Sequence, residues 1–233
     1  MDKSRQSGLI PDELLRERRV AIIGCGAIGS FVGLALGKMG VPYLDIYDDD
    51  EVTAHNIPNQ FFRMTDVGAW KVSAAGEIIS TYSDVAVKAY HDRFPNPQLP
   101  TQQLLLPDAM VVATDTMESR RDAWAEFRIQ SQCRCYIEAR MGGEEGRVYA
   151  IFKRPWKGGW LLTVKDIKFY EKTLYSDARA DHDPCTARSI IYNVLVIAGL
   201  VCRAYKGWLT NTSTPKEVVF HLGDRICVMA TTE

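Results

Sequence analysis

With 233 residues, 46% of them hydrophobic and 24% charged, the chain has the balance of an ordinary globular protein and enough length to bury a sizeable core. A formal net charge of -1 gives no overall pull toward nucleic acid or a membrane surface. The six cysteines (Cys25, Cys133, Cys135, Cys185, Cys202 and Cys227) are spaced too irregularly for a disulfide framework, and the polar start MDKSRQ has no apolar signal core. The longest apolar run, from Ile190 to Cys202, contains Asn193 and is too short to cross a bilayer, so the expected setting is a reducing cytoplasm.

Residues 19–24 (RVAIIG) run apolar without alternation, as a strand buried on both faces does. A glycine-rich turn follows, then an apolar helix over Ala27 to Met39, which Gly40 can end. Residues 42–48 (PYLDIYD) form the second expected strand. A helix over 69–81 and a strand over 85–90 come next. Residues 109–114 (AMVVAT) are another buried strand and 119–131 another helix. Strands are expected at 135–138 and 147–152. The stretch 153–184 holds Pro155, Gly158, Gly159, Trp156, Trp160 and many charges, and reads as a loop-rich crossover with one short helix. A long apolar helix over 186–206 precedes a terminal hairpin, with strands at 217–221 and 225–229 flanking Leu222, Gly223 and Asp224. Strands alternating with helices imply an α/β fold: a doubly wound, Rossmann-like sheet, mainly parallel, with an antiparallel C-terminal extension. The expected organisation is a single domain over 1–233. Its nucleotide-binding half is about 17–130, and 131–233 forms a crossover and docking half.

Gly24-Cys25-Gly26-Ala27-Ile28-Gly29 matches G-x-G-x-x-G. The first glycine permits a tight turn, the second lets phosphate approach the backbone, and the third lets helix pack on strand, with helix amides facing the anion. Asp48, ending the second strand, is placed for ribose hydroxyls. This pattern alone does not separate a dinucleotide from ATP. The polar cluster 48–60 (DDDEVTAHNIPNQ) directly after the second strand favours a triphosphate, and Lys71, opening the next helix, can point back toward the phosphates.

These residues resemble the ThiF/MoeB/HesA adenylating enzymes, relatives of the ubiquitin-activating enzymes, over about residues 4–207. Ser4, Arg5 and Gln6 resemble the family's N-terminal arginine-glutamine pair. Asp48, Asp50, Asn56 and Gln60 fall on its D-x-D-x-V-x-x-x-N-x-x-R-Q block, and Lys71 on the lysine of V/I-G-x-x-K. Asp115 and Arg120 fall on the ends of D-N-x-x-x-R. The resemblance implies ATP and Mg2+ as cofactors and adenylation of the C-terminal carboxylate of a ubiquitin-like or sulfur-carrier protein with a glycine-rich tail. It further implies that Gly24, Gly26, Ala27, Ile28, Gly29, Asp48, Asp50, Asn59, Gln60 and Thr114 border the nucleotide. Asn56 and Lys71 would meet phosphates, and Asp115 would hold magnesium. Arg5 would reach the ATP of a partner subunit, making the protein a functional homodimer.

Two departures stand out. The block's usual arginine is replaced by Asn59, with Arg63 one helical turn on as a candidate substitute, and the asparagine after the metal aspartate is replaced by Thr116. They keep open a catalytically weak nucleotide-binding scaffold. A relative acting on a tRNA base or a peptide is also open, although near-neutral charge argues against nucleic acid. The paired C-x-x-C motifs of a structural zinc are not in the sequence, so no zinc is expected, and His182 between Asp181 and Asp183 reads as a solvated loop. Cys185, before the long helix, lies where relatives carry a cysteine that forms a thioester or persulfide-linked bond. A helix N-terminus favours the thiolate, and the alternative is a small residue at a helix start. Cys25, Cys202 and Cys227 read as packing. Trp156 and Trp160 either cover a substrate tail or pack a loop onto the sheet.

Overall fold

The structure is a computed structural model that describes residues 1–95, 107–175, 189–224 and 226–232. After a short helix α1 (Asp12–Leu15), the chain alternates β1 (Arg19–Ile23), α2 (Ala27–Met39), β2 (Tyr43–Tyr47), α3 (Lys71–Tyr82), β3 (Ala86–Tyr90), β4 (Ala109–Val112), α4 (Met117–Ile129) and β5 (Cys135–Gly142). There follow β6 (Glu145–Phe152), a small hairpin β7 (Arg154–Trp156) and β8 (Gly159–Leu161), α5 (Val164–Glu171), α6 (Ile191–Leu209), β9 (Glu217–His221) and β10 (Cys227–Thr231).

Eight strands form one sheet in the order β10-β9-β6-β5-β4-β1-β2-β3. The β5-β4-β1-β2-β3 part is parallel, with Ile22 in register with Ile46 on one side and Val111 on the other. β6, β9 and β10 add on antiparallel. The expected fold class is therefore the observed one. β4 is buried throughout and β1 nearly so, because helices cover both faces, which is why their sequences run apolar without alternation. One core lies under α2, α3 and α6, with Ile22, Leu44, Ile79, Val201 and Phe220. The other lies under α4 and α5, with Ile23, Val112, Trp124, Tyr136 and Tyr170.

Several boundaries differ from expectation for definable reasons. Helix α3 starts at Lys71 rather than at residue 69. Residues 68–71 are tied into backbone bonds instead, with Gly68 and Ala69 bonded to Val52 and Lys71 N–H donating to Asp50. Strands β5 and β6 extend beyond the expected 135–138 and 147–152 into the charged residues between them, where Arg140 on β5 pairs with Glu138. The crossover contains, besides the expected helix, the β7–β8 hairpin. Its two turn residues, Lys157 (φ 43°) and Gly158 (φ 82°), adopt the left-handed conformation that a tight hairpin requires. Trp156 and Trp160 stand exposed on this hairpin, and the Arg134 guanidinium sits 4.7 Å from the Trp160 ring centroid. Helix α6 is set from Ile191. Residues 186–188, assigned to it from sequence, lie outside the described residues. No helix among the described residues is long and apolar enough to cross a membrane.

Candidate nucleotide site

A cavity of about 360 Å³ opens at the carboxyl edge of the parallel strands, where the strand order reverses between β1 and β4. This is the crevice in which doubly wound sheets take their ligands. The glycine loop forms its floor. Gly24 turns at φ 91°, and a Cβ there would lie 2.7 Å from the Ala113 carbonyl oxygen. A Cβ on Gly29 would lie 1.8 Å from the Gly24 carbonyl oxygen, so the loop closes on itself only without side chains. A Cβ on Gly26 would meet open space. Gly26 caps α2, and no side chain occupies that helix end. Ala27, Ile28 and Gly29, also expected at the nucleotide, do not themselves line the cavity, but as the first turn of α2 they give that helix end a local positive field.

Asp48, ending β2, organises the opposite wall. Its Oδ2 accepts the Cys25 N–H at 2.6 Å and its Oδ1 the Asp50 N–H at 3.0 Å. Burial pushes this carboxyl above the usual carboxylate range, and the nearby Lys71 ammonium pulls it back. Lys71 lies 2.6 Å from Asp50 Oδ2 and 4.0 Å from Asp48 Oδ1. Across the crevice stand Ala113, Thr114, Asp115 and Thr116, with Asp115 exposed. Thr116 accepts the Ser119 N–H and so caps α4. Two buried acceptor atoms on this wall, Gln60 Oε1 and Thr114 Oγ1, have no hydrogen-bond partner among the described residues.

Five of the site residues expected from sequence beyond the glycines thus border one cavity: Asp48, Asp50, Gln60, Lys71 and Thr114, together with Asp115 as the expected metal ligand. Sequence reading missed Tyr47, Asp49, Asp92, Arg93 and Phe94. Arg93 Nε pairs with Asp49 Oδ2 at 2.8 Å, and Phe94 meets Tyr47 edge-on at 5.1 Å. Only the sheet topology reveals them: β3 pairs with β2, which brings the residues just after β3 next to Asp48. The ligand oxygens of Asp48, Asp49 and Asp50 also lie within 4.8 Å of one another.

Other expected residues sit elsewhere. Asn56, expected to meet phosphate, is buried and does not line the cavity, its Oδ1 accepting the Thr53 N–H and hydroxyl to cap a single 3-10 turn. Asn59 points its amide to Ser189. Arg63 is held by Asp66 and Glu77 and does not border the cavity. Arg5 is exposed near the other end of α2, where Gln6 bonds the Met39 carbonyl, some 20 Å from the glycine loop by helix rise. Cys185 and His182 lie outside the described residues. Cys25 is fully buried with its thiol pushed up by burial, and burial pushes the Cys133 and Cys202 thiols up to about 12. Cys227, expected to be packed, is exposed, because β10 is the outer edge of the sheet.

The family model described as "ThiF family" matches residues 4–220. Ubiquitin-like modifier-activating enzyme 5 of Bombyx mori is 34% identical over 80 residues, which is 34% of this chain and 20% of that protein. The protein of the same name from Oryza sativa subsp. japonica is 35% identical over 79 residues, 34% of this chain and 19% of that protein. These matches thus span about a fifth of the relatives' length. Among solved structures, E. coli MccB with succinimide superposes with a TM-score of 0.71 at 18% identity, covering 97% of this chain and 66% of MccB. Selenomethionine PaaA gives 0.72 at 20% identity, covering 100% of this chain and 69% of PaaA. With a family match over nearly its whole length and the sheet of those structures, the chain belongs to the ThiF family.

Proposed function

We propose that the protein is an adenylyltransferase that uses ATP and Mg2+ to activate the C-terminal carboxylate of a ubiquitin-like or sulfur-carrier protein. The observation that carries this reading is the meeting of Asp48, Lys71 and Asp115 around one cavity with an uncapped helix end. The names of the relatives support the substrate class, and the neighbouring fold of MccB, solved with ATP, supports the nucleotide.

The residues present fit the groups. The unpartnered Gln60 and Thr114 oxygens and the open space over Gly26 suit a polar ligand pressed against the loop. Asp48 would accept ribose hydroxyls, the α2 amides would face phosphate, and Lys71 would offset its charge. The wall carries five aspartates against one lysine and one arginine, so a bare triphosphate is repelled and enters as its metal complex. Asp115, with the acids after β2 as neighbours, would hold the magnesium, which neutralises charge on phosphate oxygens. The chain's task is then positional: it aligns a carboxylate with the α-phosphorus, pyrophosphate leaves, and an acyl adenylate remains.

Two finer parts belong to the same proposal. Arg5 stands at the far end of α2 from its own cavity, so service to a nucleotide requires a second copy, and a homodimer is the expected state. Transfer of the activated acyl group to Cys185 would complete the sequence. ATP–pyrophosphate exchange with small proteins ending Gly-Gly tests the reading. Exchange that depends on magnesium and vanishes in Asp115→Ala supports it, whereas undiminished exchange in that variant removes Asp115 from its role. In Cys185→Ala, exchange should persist while a thiol-sensitive conjugate disappears.

A further inference from the structure

Glu138 on β5 has no accessible surface, yet three hydrogen-bond donors and a second guanidinium converge on it. Its Oε1 lies 3.0 Å from Arg120 Nε and accepts Arg140 Nε at 2.6 Å. Its Oε2 accepts Arg140 Nη2 at 2.8 Å and the Tyr170 hydroxyl at 2.6 Å. The Tyr136 and Tyr170 hydroxyls are 2.8 Å apart, which fixes the tyrosine in turn. One carboxylate therefore serves two largely buried guanidiniums, which leaves the cluster one positive charge in excess.

The two arginines lead in different directions. Arg120 Nη2 donates to the Thr114 carbonyl oxygen at 2.7 Å, the residue before Asp115 on the wall of the nucleotide cavity. Arg140 Nη1 donates to the Thr173 carbonyl oxygen at 2.9 Å, just beyond α5, and the same side chain lines a second cavity of about 640 Å³ with Arg147, Glu144 and His221. A buried guanidinium stays where its countercharge is, because an uncompensated charge in that environment is strongly unfavourable. Without the Glu138 charge, Arg120 has no reason to remain against Thr114. The Thr114 carbonyl then loses its donor, and the turn bearing Asp115 loses its inner support.

We propose that Glu138 is a positioning residue that, acting through Arg120, sets the Thr114–Asp115 turn at the metal end of the nucleotide cavity. The inference rests on the reading that this cavity binds a nucleotide with its metal. Asp48, which would receive the ribose, follows β2, and the glycine loop meets the Thr114 turn only where Gly24 packs on the Ala113 and Thr114 backbone. The two ends of the ligand should therefore respond differently.

The test is calorimetric binding of MgATP and of AMP to the full chain and to Glu138→Gln, with folding checked by circular dichroism. MgATP affinity should fall about tenfold or more, while AMP affinity stays within about twofold of the parent. Equal loss for both ligands would mark Glu138 as a general support of the fold and overturn the proposal, as would unchanged MgATP binding. Arg120→Lys keeps the positive charge but removes the planar fork that reaches Thr114. It should reproduce the selective loss, so the proposal stays testable if Glu138→Gln does not fold, and unaltered MgATP binding in Arg120→Lys overturns it. If the parent chain binds neither ligand, the nucleotide reading itself fails and this inference with it. Parent binding with no selective loss in the variants rejects the inference alone.

Discussion

Lys71 Nζ lies 2.6 Å from Asp50 Oδ2 and 4.0 Å from Asp48 Oδ1, so a single ammonium spans the two acids that close β2. Burial raises the Asp48 carboxyl and Lys71 restrains that rise. In Lys71→Met the restraint is gone, the carboxyl rises further, and the ionised form appears only at a higher pH. MgATP affinity at neutral pH should drop by about tenfold or more, and binding should fail at a higher pH than in the parent during a descent from about pH 7 to about pH 4. Calorimetry across that range checks both, and an unshifted pH profile would break the link between the two residues.

Gly26 and Gly29 separate binding from folding within one loop. Gly26→Ala adds a Cβ into open space, although φ −81°, ψ −146° lies outside the favoured β and α regions, so the variant should lose only about 1 kcal/mol of stability to backbone strain while MgATP affinity falls by about tenfold or more. Gly29→Ala drives a Cβ to 1.8 Å from the Gly24 carbonyl oxygen, and the variant should lose about 3 kcal/mol or more of stability or fail to fold. Thermal melts paired with calorimetry distinguish the two, and equal behaviour of the pair would contradict the geometry.

Metal dependence follows from the acid count on the cavity wall. Five aspartates against two cations should make ATP affinity at least about tenfold weaker in excess chelator than with magnesium. The comparison uses the same preparation with and without EDTA, and equal affinities would remove the electrostatic argument for a metal.

Arg63, the sequence-level substitute for the arginine missing at Asn59, is committed to Asp66 at 2.7 Å and Glu77 at 3.0 Å. Arg63→Ala should therefore leave MgATP affinity within about twofold, whereas Arg93→Ala, on a residue that lines the cavity, should weaken it several-fold. The opposite ranking by calorimetry would return the role to Arg63.

Asp166 makes an acid-labile support for α5. Burial raises its carboxyl, but the Lys216 and Thr163 hydrogen bonds together outweigh that, and the net shift is downward. A carboxyl lowered by folding stabilises above its unfolded value, and that stabilisation is lost as pH falls through the folded one. Asp166→Asn should cost about 2 kcal/mol at neutral pH, and the gap in melting temperature from the parent should narrow below about pH 4. Melts at several pH values check it, and a gap independent of pH would show that the Lys216 contact contributes nothing electrostatic.

The parallel half of the fold was legible because its strands, buried on two faces, announce themselves as unbroken apolar runs, as in residues 109–112. Gly24 and Asp48 were legible because each directly follows a strand, Lys71 because it opens the next helix, and Asp115 only through the family motif on which it falls. Arg93 and Phe94 were not, since they border the cavity only through the lateral neighbourhood of β3 and β2, which no local pattern encodes. The reach of β5 and β6 was hidden for a related reason. Glu138 and Arg140 look like surface residues in sequence and become interior ones only when each supplies the other's countercharge.

The seam between Gly24 and Gly29 has a thermodynamic corollary. Because the start of α2 is packed directly on the turn after β1, the amides aimed at the cavity are already immobilised in the free protein. Ligand capture at this end therefore forfeits little chain entropy, and the ordering penalty falls instead on the incoming molecule and on whatever closes over it.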